Sequence, residues 1–160
     1  MALLRDRSRC LVAAFLRSAA LILAFVLPNT NSANAQNRQL TIWSGALASN
    51  GGVIATTRLQ HGQRYQVRIA GAVHFGTWKP TKRALKNDAC FEFNSGRGAV
   101  SLPIIQNSHG LNFCARGYSA RHVYQTQLIY GDGRALTLRV FDTDYRDNYG
   151  SFNVQVVLMR

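Results

Sequence analysis

The sequence predicts an all-β fold, a single-domain β-sandwich or jelly roll. Short segments alternate polar and apolar positions, as in residues 64–73 (RYQVRIAGAV), where Tyr65, Val67 and Ile69 would form the buried face. Turn-forming residues separate these segments, and no segment shows a sustained apolar period of 3.6 residues. Seven or eight short strands with turns between them are typical of a sandwich or jelly roll.

The predicted strands follow one another along most of the chain after a polar spacer. Gly131, Asp132 and Gly133 separate two of these strands, which predicts a hairpin turn. Residues 79–87 (KPTKRALKN) are basic and irregular, which predicts an exposed loop. The main predicted strands are residues 40–47, 53–59, 64–73, 90–93, 126–130, 135–141 and 151–158.

The N-terminal region has the three parts of a secretory signal peptide. Arg5, Arg7 and Arg9 precede an apolar region whose uninterrupted core is residues 19–27, and Ala33 and Ala35 supply the small residues that a signal peptidase reads. This core is too short to span a bilayer. We therefore expect removal of residues 1–35, which leaves residues 36–160 as one exported domain, periplasmic or secreted. An uncleaved membrane anchor is the alternative, and no other segment is apolar enough to cross a membrane.

The expected mature chain is strongly basic, with 15 Lys and Arg against 6 Asp and Glu, a net charge of +9. Such a surplus favours acidic partners, for example anionic glycans, lipopolysaccharide or phospholipid. Maintaining solubility is the alternative role for the charge. Most basic residues are scattered singly along the strands, not in runs interleaved with stacking aromatics, so we expect no nucleic-acid partner.

Two cysteines remain in the expected mature chain, Cys90 and Cys114, because Cys10 lies in the signal peptide. An even pair in an exported domain indicates a disulfide. Closing a loop of this length would contribute roughly 3 kcal/mol to stability. The sequence has no CxxC motif and no His at metal-ligand spacing beside either Cys.

Half of the mature acidic residues lie in residues 142–148, which we call the acidic loop. Asp142, Asp144, Asp147 and Asn148 place three carboxylates and one amide oxygen within seven positions. Such carboxylates repel one another unless a cation lies between them. Oxygen ligands of this kind suit Ca²⁺. The alternative is a solvated turn, since Asp and Asn also favour turns.

The C-terminal stretch LTLRVFDTDYRDNYGSFNVQV resembles the end of the small bacterial calcium-dependent galactose-binding lectins, the PA-IL family. WSGALASN and VIATTRLQHGQRYQVRIAGAVHFG are similar to the opening strands of that family. The resemblance implies a galactose-binding-domain-like sandwich in which two sugar hydroxyls complete the coordination of calcium. The calcium ligands that it implies are Asp142, Asp144, Asp147, Asn148 and the backbone carbonyl of Phe75.

The sugar-binding residues suggested by this resemblance and by the neighbouring sequence are His74, Trp78, Asp142 and Asn148. The family contacts sugar through a His and a Gln that the segment TWKPTKRALKND lacks. Trp78 would stack on a sugar face in their place, with partly buried packing as its alternative role. The lysines and arginine of the segment favour an acidic or phosphorylated glycan over galactose.

The sequence therefore predicts a lectin with no enzymatic activity, whose cofactor is Ca²⁺ and whose partner is an anionic or galactose-like glycan. The alternative is a basic envelope protein or adhesin that binds anionic surface polymers without calcium. A metal-dependent glycan-processing enzyme ranks third, because no residue is placed as a general base and the four His are dispersed. The oligomeric state is open, a homo-oligomer included.

Overall fold

Antiparallel strands form nearly all of the regular structure in the part of the chain that the computed structural model describes. The described residues are 39–78, 83–94, 96 and 98–160, without the side chains of Trp78 and Arg83. All of them belong to one compact unit. The expected signal peptide, residues 1–35, lies outside the described residues. The prediction of an all-β protein is confirmed.

The strands are numbered in chain order, and one 3₁₀ helix, Tyr145–Asp147, lies between the eleventh and the twelfth. The strands are β1 (Gln39–Ala48), β2 (Ile54–Arg58), β3 (Arg64–Ala70), β4 (Val73–Trp78), β5 (Arg83–Asn87), β6 (Phe91–Glu92), β7 (Val100–Ser101), β8 (Ile105–Asn107), β9 (Val123–Gln125), β10 (Ile129–Tyr130), β11 (Ala135–Val140), β12 (Asn148–Tyr149) and β13 (Ser151–Met159).

These strands pair in three sheets, consistent with the predicted β-sandwich. The first sheet has the order β1-β13-β3-β10, with β9 also paired to β3. The second has the order β2-β11-β8, and the third β12-β4-β5-β6-β7. Every pairing is antiparallel. No helix in the described ranges has the length and apolar character needed to cross a membrane.

One hydrophobic cluster, shared by the inner faces of the strands, holds the fold together. In β3 the predicted inner residues Tyr65, Val67 and Ile69 are buried, while Arg64 and Arg68 are exposed. The alternation predicted for β13 is also confirmed, since every second residue from Phe152 to Val156 is buried. Full burial of a large apolar side chain contributes about 1.5–3 kcal/mol to stability, so these two adjacent strands form the centre of the core.

The predicted hairpin at Gly131–Gly133 is wrong, because the strands on either side of it belong to different sheets. β10 pairs with β3 in the first sheet, whereas β11 pairs with β2 and β8 in the second. The Gly131 N–H donates to the Gln63 carbonyl at 2.9 Å, and the Gly133 N–H donates to the Leu59 carbonyl at 2.8 Å. The glycines therefore permit a crossing between sheets, which a turn signal in the sequence does not distinguish from a hairpin.

The predicted basic loop at residues 79–87 is wrong for its second half. Residues 83–87 form β5, which pairs with β4 and brings Lys86 opposite His74. Asn87 is fully buried. Residues 79–82 lie outside the described residues. Pairing with a neighbouring strand creates β5 although its own sequence has no clear alternation.

The predicted strand 64–73 is divided at Gly71, whose φ of +111° belongs to the conformations that side chains disfavour. The chain turns there and leaves the first sheet for the third. This turn brings β4 beside β12, so it places Phe75 next to the acidic loop.

The predicted disulfide between Cys90 and Cys114 is present, with the two Cα atoms 5.4 Å apart. Cys90 is fully buried and directly precedes β6. Cys114 lies near the middle of the connection between β8 and β9, residues 108–122. The disulfide therefore fixes the middle of this connection to the core.

Candidate ligand-binding site at the acidic loop

Hydrogen bonds give the acidic loop a defined conformation. The Tyr145 hydroxyl donates to the Val140 carbonyl at 3.2 Å and accepts from the Asp142 N–H at 3.1 Å. A Cβ added to Gly51 would lie 2.9 Å from the Tyr145 ring. Gly51 thus allows this ring to pack closely, and the ring then holds the start of the loop near the end of β11.

Asp142 and Asn148, six residues apart, come into direct contact. Asn148 Nδ2 donates to Asp142 Oδ2 at 2.8 Å and to the Ser49 carbonyl at 3.2 Å. The carbonyl is only an acceptor, and an ionised carboxylate is too, so the two contacts determine which end of the Asn148 amide is the nitrogen. The two predicted ligands therefore form a pair at the centre of the site.

The Asn148 side chain leaves one buried oxygen without a partner. Asn148 Oδ1 is inaccessible to solvent and has no hydrogen-bond donor among the described residues. A buried acceptor left unpaired costs about 1–3 kcal/mol. An oxygen in this situation can be satisfied by a cation, which is the role that the sequence analysis predicted for it.

Asp147 and Phe75 lie near the same pair. Gly76 has a φ of +76°, and a Cβ added there would lie 3.1 Å from Asp147 Oδ2. Phe75 is the cross-strand partner of Asn148 in the β4–β12 pairing. Four of the five predicted calcium ligands therefore lie near the junction of β4, β12 and the acidic loop.

Asp144, the fifth predicted ligand, forms a different interaction. Its Oδ2 accepts from Arg146 Nη2 at 2.6 Å, and its Oδ1 accepts from Arg146 Nε at 2.8 Å. The hydrogen bond to Asp144 raises the pKa of Arg146 above its usual range. Within the described ranges, no three His, Cys, Asp or Glu side chains are grouped as a metal site would require. A cation at this site would therefore depend on amide and carbonyl oxygens as well as carboxylates.

His74, a predicted sugar contact, packs against an aromatic residue that the sequence analysis did not select. The rings of His74 and Tyr149 are stacked, with centroids 4.2 Å apart and an interplanar angle of 12°. Successive residues of a strand point to opposite faces, so this stack lies on the other face of the β4–β12 pair from Asn148. Tyr149 is 67% exposed. The only signal for it in the sequence is its place directly after Asn148.

Trp78, the remaining predicted sugar contact, is the last residue of β4, and its backbone is paired with Arg83. Its side chain lies outside the described residues. The sugar-binding role of Trp78 stays a prediction.

Comparison with known proteins gives one distant likeness. No protein-family model matches the chain, and no curated protein matches it. A solved structure described as "EclA N-terminal domain; PllA-like lectin" is similar to the chain at 21% sequence identity, with a TM-score of 0.44. The likeness covers 74% of this chain and 97% of the other. A likeness this distant assigns no function.

Proposed function

We propose that this protein is an exported carbohydrate-binding protein, without enzymatic activity, that uses a Ca²⁺ ion in the acidic loop to bind sugar hydroxyls. One observation carries the proposal: Asn148 Oδ1 is buried without a donor while the same side chain contacts the Asp142 carboxylate. A solvated turn explains the acidic composition of the loop, but it does not explain a buried amide oxygen without a partner.

The residues in the proposed site have separate roles. Asp142 and Asp147 supply two carboxylates, and these balance the charge of one divalent ion. Asn148 supplies its unpaired amide oxygen, and Phe75 supplies its backbone carbonyl. Asp144 joins them only if its carboxylate leaves Arg146.

The number of ligands explains how a neutral sugar would bind. A bound Ca²⁺ would accept six to eight oxygen ligands, and the hydroxyls of a sugar are neutral oxygen ligands of this kind. The four residues above provide four oxygens, or five if one carboxylate binds with both of its oxygens, which is fewer than that number. The remaining positions are then open to water, which sugar hydroxyls can replace without bringing new charge.

In the proposed site, Asp142 and Asn148 contact both the ion and the bound sugar. Asp142 Oδ1 accepts from the Thr143 N–H at 2.6 Å, which fixes the carboxylate while its other oxygen faces Asn148. The proposal does not depend on His74, because the His74 ring is stacked on Tyr149.

A direct test combines calorimetry with a glycan array. Protein stripped with a chelator should release or absorb heat on addition of Ca²⁺, and glycan binding should appear only after calcium is restored. Asp132→Asn is a matched control, since it removes one carboxylate at the opposite end of β11 from the acidic loop. Absence of both heat and a melting shift at millimolar Ca²⁺ would leave the solvated turn as the explanation of the loop.

A further inference from the structure

A second candidate site lies away from the acidic loop and has the opposite charge. A cavity of about 340 Å³ opens beside β3, β9 and the connection that follows Cys114. Three arginines line it: Arg68 comes from β3, and Arg116 and Arg121 come from the connection. We call it the arginine pocket.

The three arginines have no counter-ion in the part of the chain that the structure describes. All three are exposed, and the ion pairs of the described residues involve other basic residues. No Asp or Glu lines the pocket. Like charges around one concave surface repel one another and raise the positive potential there. An anion bound between them would remove this repulsion.

The remaining polar groups of the pocket suit a hydroxylated ligand. Gln125 lies directly opposite Arg68 in the β3–β9 pairing, so the amide and the guanidinium are cross-strand neighbours. Ser119 and Tyr118 belong to the opposite wall, and Tyr118 is 45% exposed. The pocket thus combines donors for an anionic group, smaller hydrogen-bonding groups and one accessible aromatic ring.

Hydrogen bonds and a disulfide hold in place the pocket wall that carries Arg116 and Arg121. The Ser119 N–H donates to the Tyr124 hydroxyl at 3.2 Å, and His122 Nδ1 lies 2.9 Å from the buried carboxylate of Asp88. The disulfide at Cys114 fixes the other end of the wall. His122 has a φ of +51°, a conformation that is uncommon for a non-glycine residue. The wall is therefore held in place before any ligand arrives, which reduces the entropic cost of binding.

We infer that the arginine pocket binds an acidic sugar unit, one that carries a carboxylate or a sulfate on a hydroxylated ring. The planar guanidinium group presents paired N–H donors that match the two oxygens of such anions. The volume of the pocket is at the lower end of the range for small-molecule sites, which suits one or two sugar units at the end or edge of a glycan. This site shares no residue with the acidic loop, and binding there needs no calcium.

The test uses the mature protein with chelator present, so that the proposed calcium site is inactive. The probes are a heparin-derived tetrasaccharide, a short oligogalacturonate and a neutral oligosaccharide of equal length, each titrated by calorimetry at 150 mM salt. Both acidic probes should bind and the neutral probe should not. The heparin-derived probe carries both sulfates and carboxylates, so its binding without that of the oligogalacturonate would show that the pocket requires sulfate. Binding of the oligogalacturonate alone would show that the pocket prefers a carboxylate on a ring without sulfates. Binding of free sulfate as tight as that of the acidic saccharides would overturn the assignment to a sugar.

Two exposed arginines of the same strand provide a matched pair of variants. Arg68→Gln should weaken binding of the acidic probes at least tenfold, and Arg116→Gln, from the other wall, should do the same. Arg64→Gln removes the same charge from the same face of β3, about 13 Å along the strand, and should change affinity by less than twofold. Equal weakening by Arg64→Gln and Arg68→Gln would show that only net charge matters, and no weakening by Arg68→Gln or Arg116→Gln would exclude the pocket.

The outcome is independent of the calcium proposal. Loss of acidic-sugar binding on addition of chelator would assign that binding to the acidic loop and refute the arginine pocket. Retention of acidic-sugar binding in Asp142→Asn, a variant of the acidic loop, would support the pocket even if calcium binding failed.

Discussion

The Tyr124 hydroxyl donates to Asp88 Oδ2 at 2.7 Å in the interior of the protein, where Tyr124 is 3% exposed and Asp88 is fully buried. Asp88 Oδ1 accepts from the N–H groups of Cys90 and Phe91 at 2.9 and 2.7 Å. The carboxylate is thus satisfied by several donors, which is the condition for burying a charged group without a large loss of stability. Through it, the turn before β6 is joined to the strand beside the arginine pocket.

We expect Tyr124→Phe to destabilise the protein in a way that depends on pH. Burial, and after it the hydrogen bond to Asp88, raises the pKa of Tyr124 above its usual value. A group whose pKa is raised by folding contributes its full stabilisation below its unfolded pKa, which is about 10 for Tyr. This stabilisation is lost as the pH rises from the unfolded pKa through the folded pKa. Tyr124→Phe should therefore cost about 1–3 kcal/mol at pH 7, and its deficit relative to wild type should shrink above about pH 10.

Urea unfolding of both proteins between pH 7 and pH 11 measures this difference. Tyr130→Phe is the control, because Tyr130 is 69% exposed and its replacement should have little effect at any pH. A deficit for Tyr124→Phe that stays constant up to pH 11 would contradict the assigned cause.

Asp142 and Asp144 should differ in their importance for calcium. Asp142→Asn should weaken Ca²⁺ binding at least tenfold, since its Oδ2 lies against Asn148. Asp144→Asn should weaken it by less than threefold, because the Asp144 carboxylate is already paired with Arg146. Calorimetry on chelator-stripped variants distinguishes the two. Arg146→Ala, which removes the guanidinium from the Asp144 carboxylate, should not weaken binding. Equal losses for Asp142→Asn and Asp144→Asn would show that Asp144 leaves the Arg146 guanidinium to bind the ion.

Gly131 should tolerate no side chain, although its φ is not in the left-handed region. A Cβ at Gly131 would overlap the backbone of Gln60 and lie 2.8 Å from the Leu59 carbonyl carbon, and backbone at this crossing between sheets cannot rotate away. We expect Gly131→Ala to destabilise the protein by about 3 kcal/mol. Thermal or chemical unfolding measures the loss.

The control for Gly131 is Gly110→Ala. Gly110 has a φ of +64° with no atom within 4 Å of an added Cβ, so its replacement costs only the conformational penalty, about 1–2 kcal/mol. A smaller loss at Gly131 than at Gly110 would mean that the crossing is looser than the structure indicates.

Reduction of the Cys90–Cys114 disulfide should affect the arginine pocket more than the acidic loop. The closed loop contributes roughly 3 kcal/mol to stability, and Cys114 fixes the connection that carries Arg116 and Arg121. We expect a lower melting temperature after reduction and a larger loss of affinity for acidic saccharides than for Ca²⁺. The double variant Cys90→Ala/Cys114→Ala should reproduce the effect without reductant, and equal losses at both sites would indicate general unfolding instead.

The exported protein should begin at Gln36. Ala33 and Ala35 satisfy the small-residue positions that a signal peptidase requires. Intact-mass measurement of the protein recovered outside the cytoplasm determines the first residue. A product that retains residues 1–35 would instead indicate the membrane-anchor alternative.

The sequence predicted best those elements whose own side chains alternate. Strand β3 was recognisable because Tyr65, Val67 and Ile69 form one apolar face, and β13 for the same reason. Strand β5 was not recognisable, because its own residues do not alternate clearly and its strand conformation comes from pairing with β4. The crossing at Gly131 was misread since a hairpin and a crossing between sheets use the same turn residues.

The candidate sites also combine features that the sequence predicted with features that it did not. Clustering along the chain suggested that the oxygens of Asp142, Asp147 and Asn148 act together, but the pairing of Asp144 with Arg146 depends on side-chain geometry that composition does not contain. The arginine pocket had no signal in the sequence, because Arg68 lies about fifty residues from Arg116 and Arg121 along the chain. Only the pairing of β3 with β9 brings them to one cavity.

The position of β13 between β1 and β3 determines when the first sheet can form. β1 and β13 are paired along their lengths, from Gln39 opposite Met159 to Ala48 opposite Ser151. β1 therefore cannot pair in the first sheet until β13 is available. Contacts between such distant segments give a high contact order, which places folding on the scale of milliseconds to seconds and not microseconds. Until β13 has paired, β1 and β3 each have an unpaired edge that can form hydrogen bonds with a strand of another chain. A protein built this way cannot complete its core before β13 has been synthesised, and truncation before β13 should yield aggregation instead of a smaller folded domain.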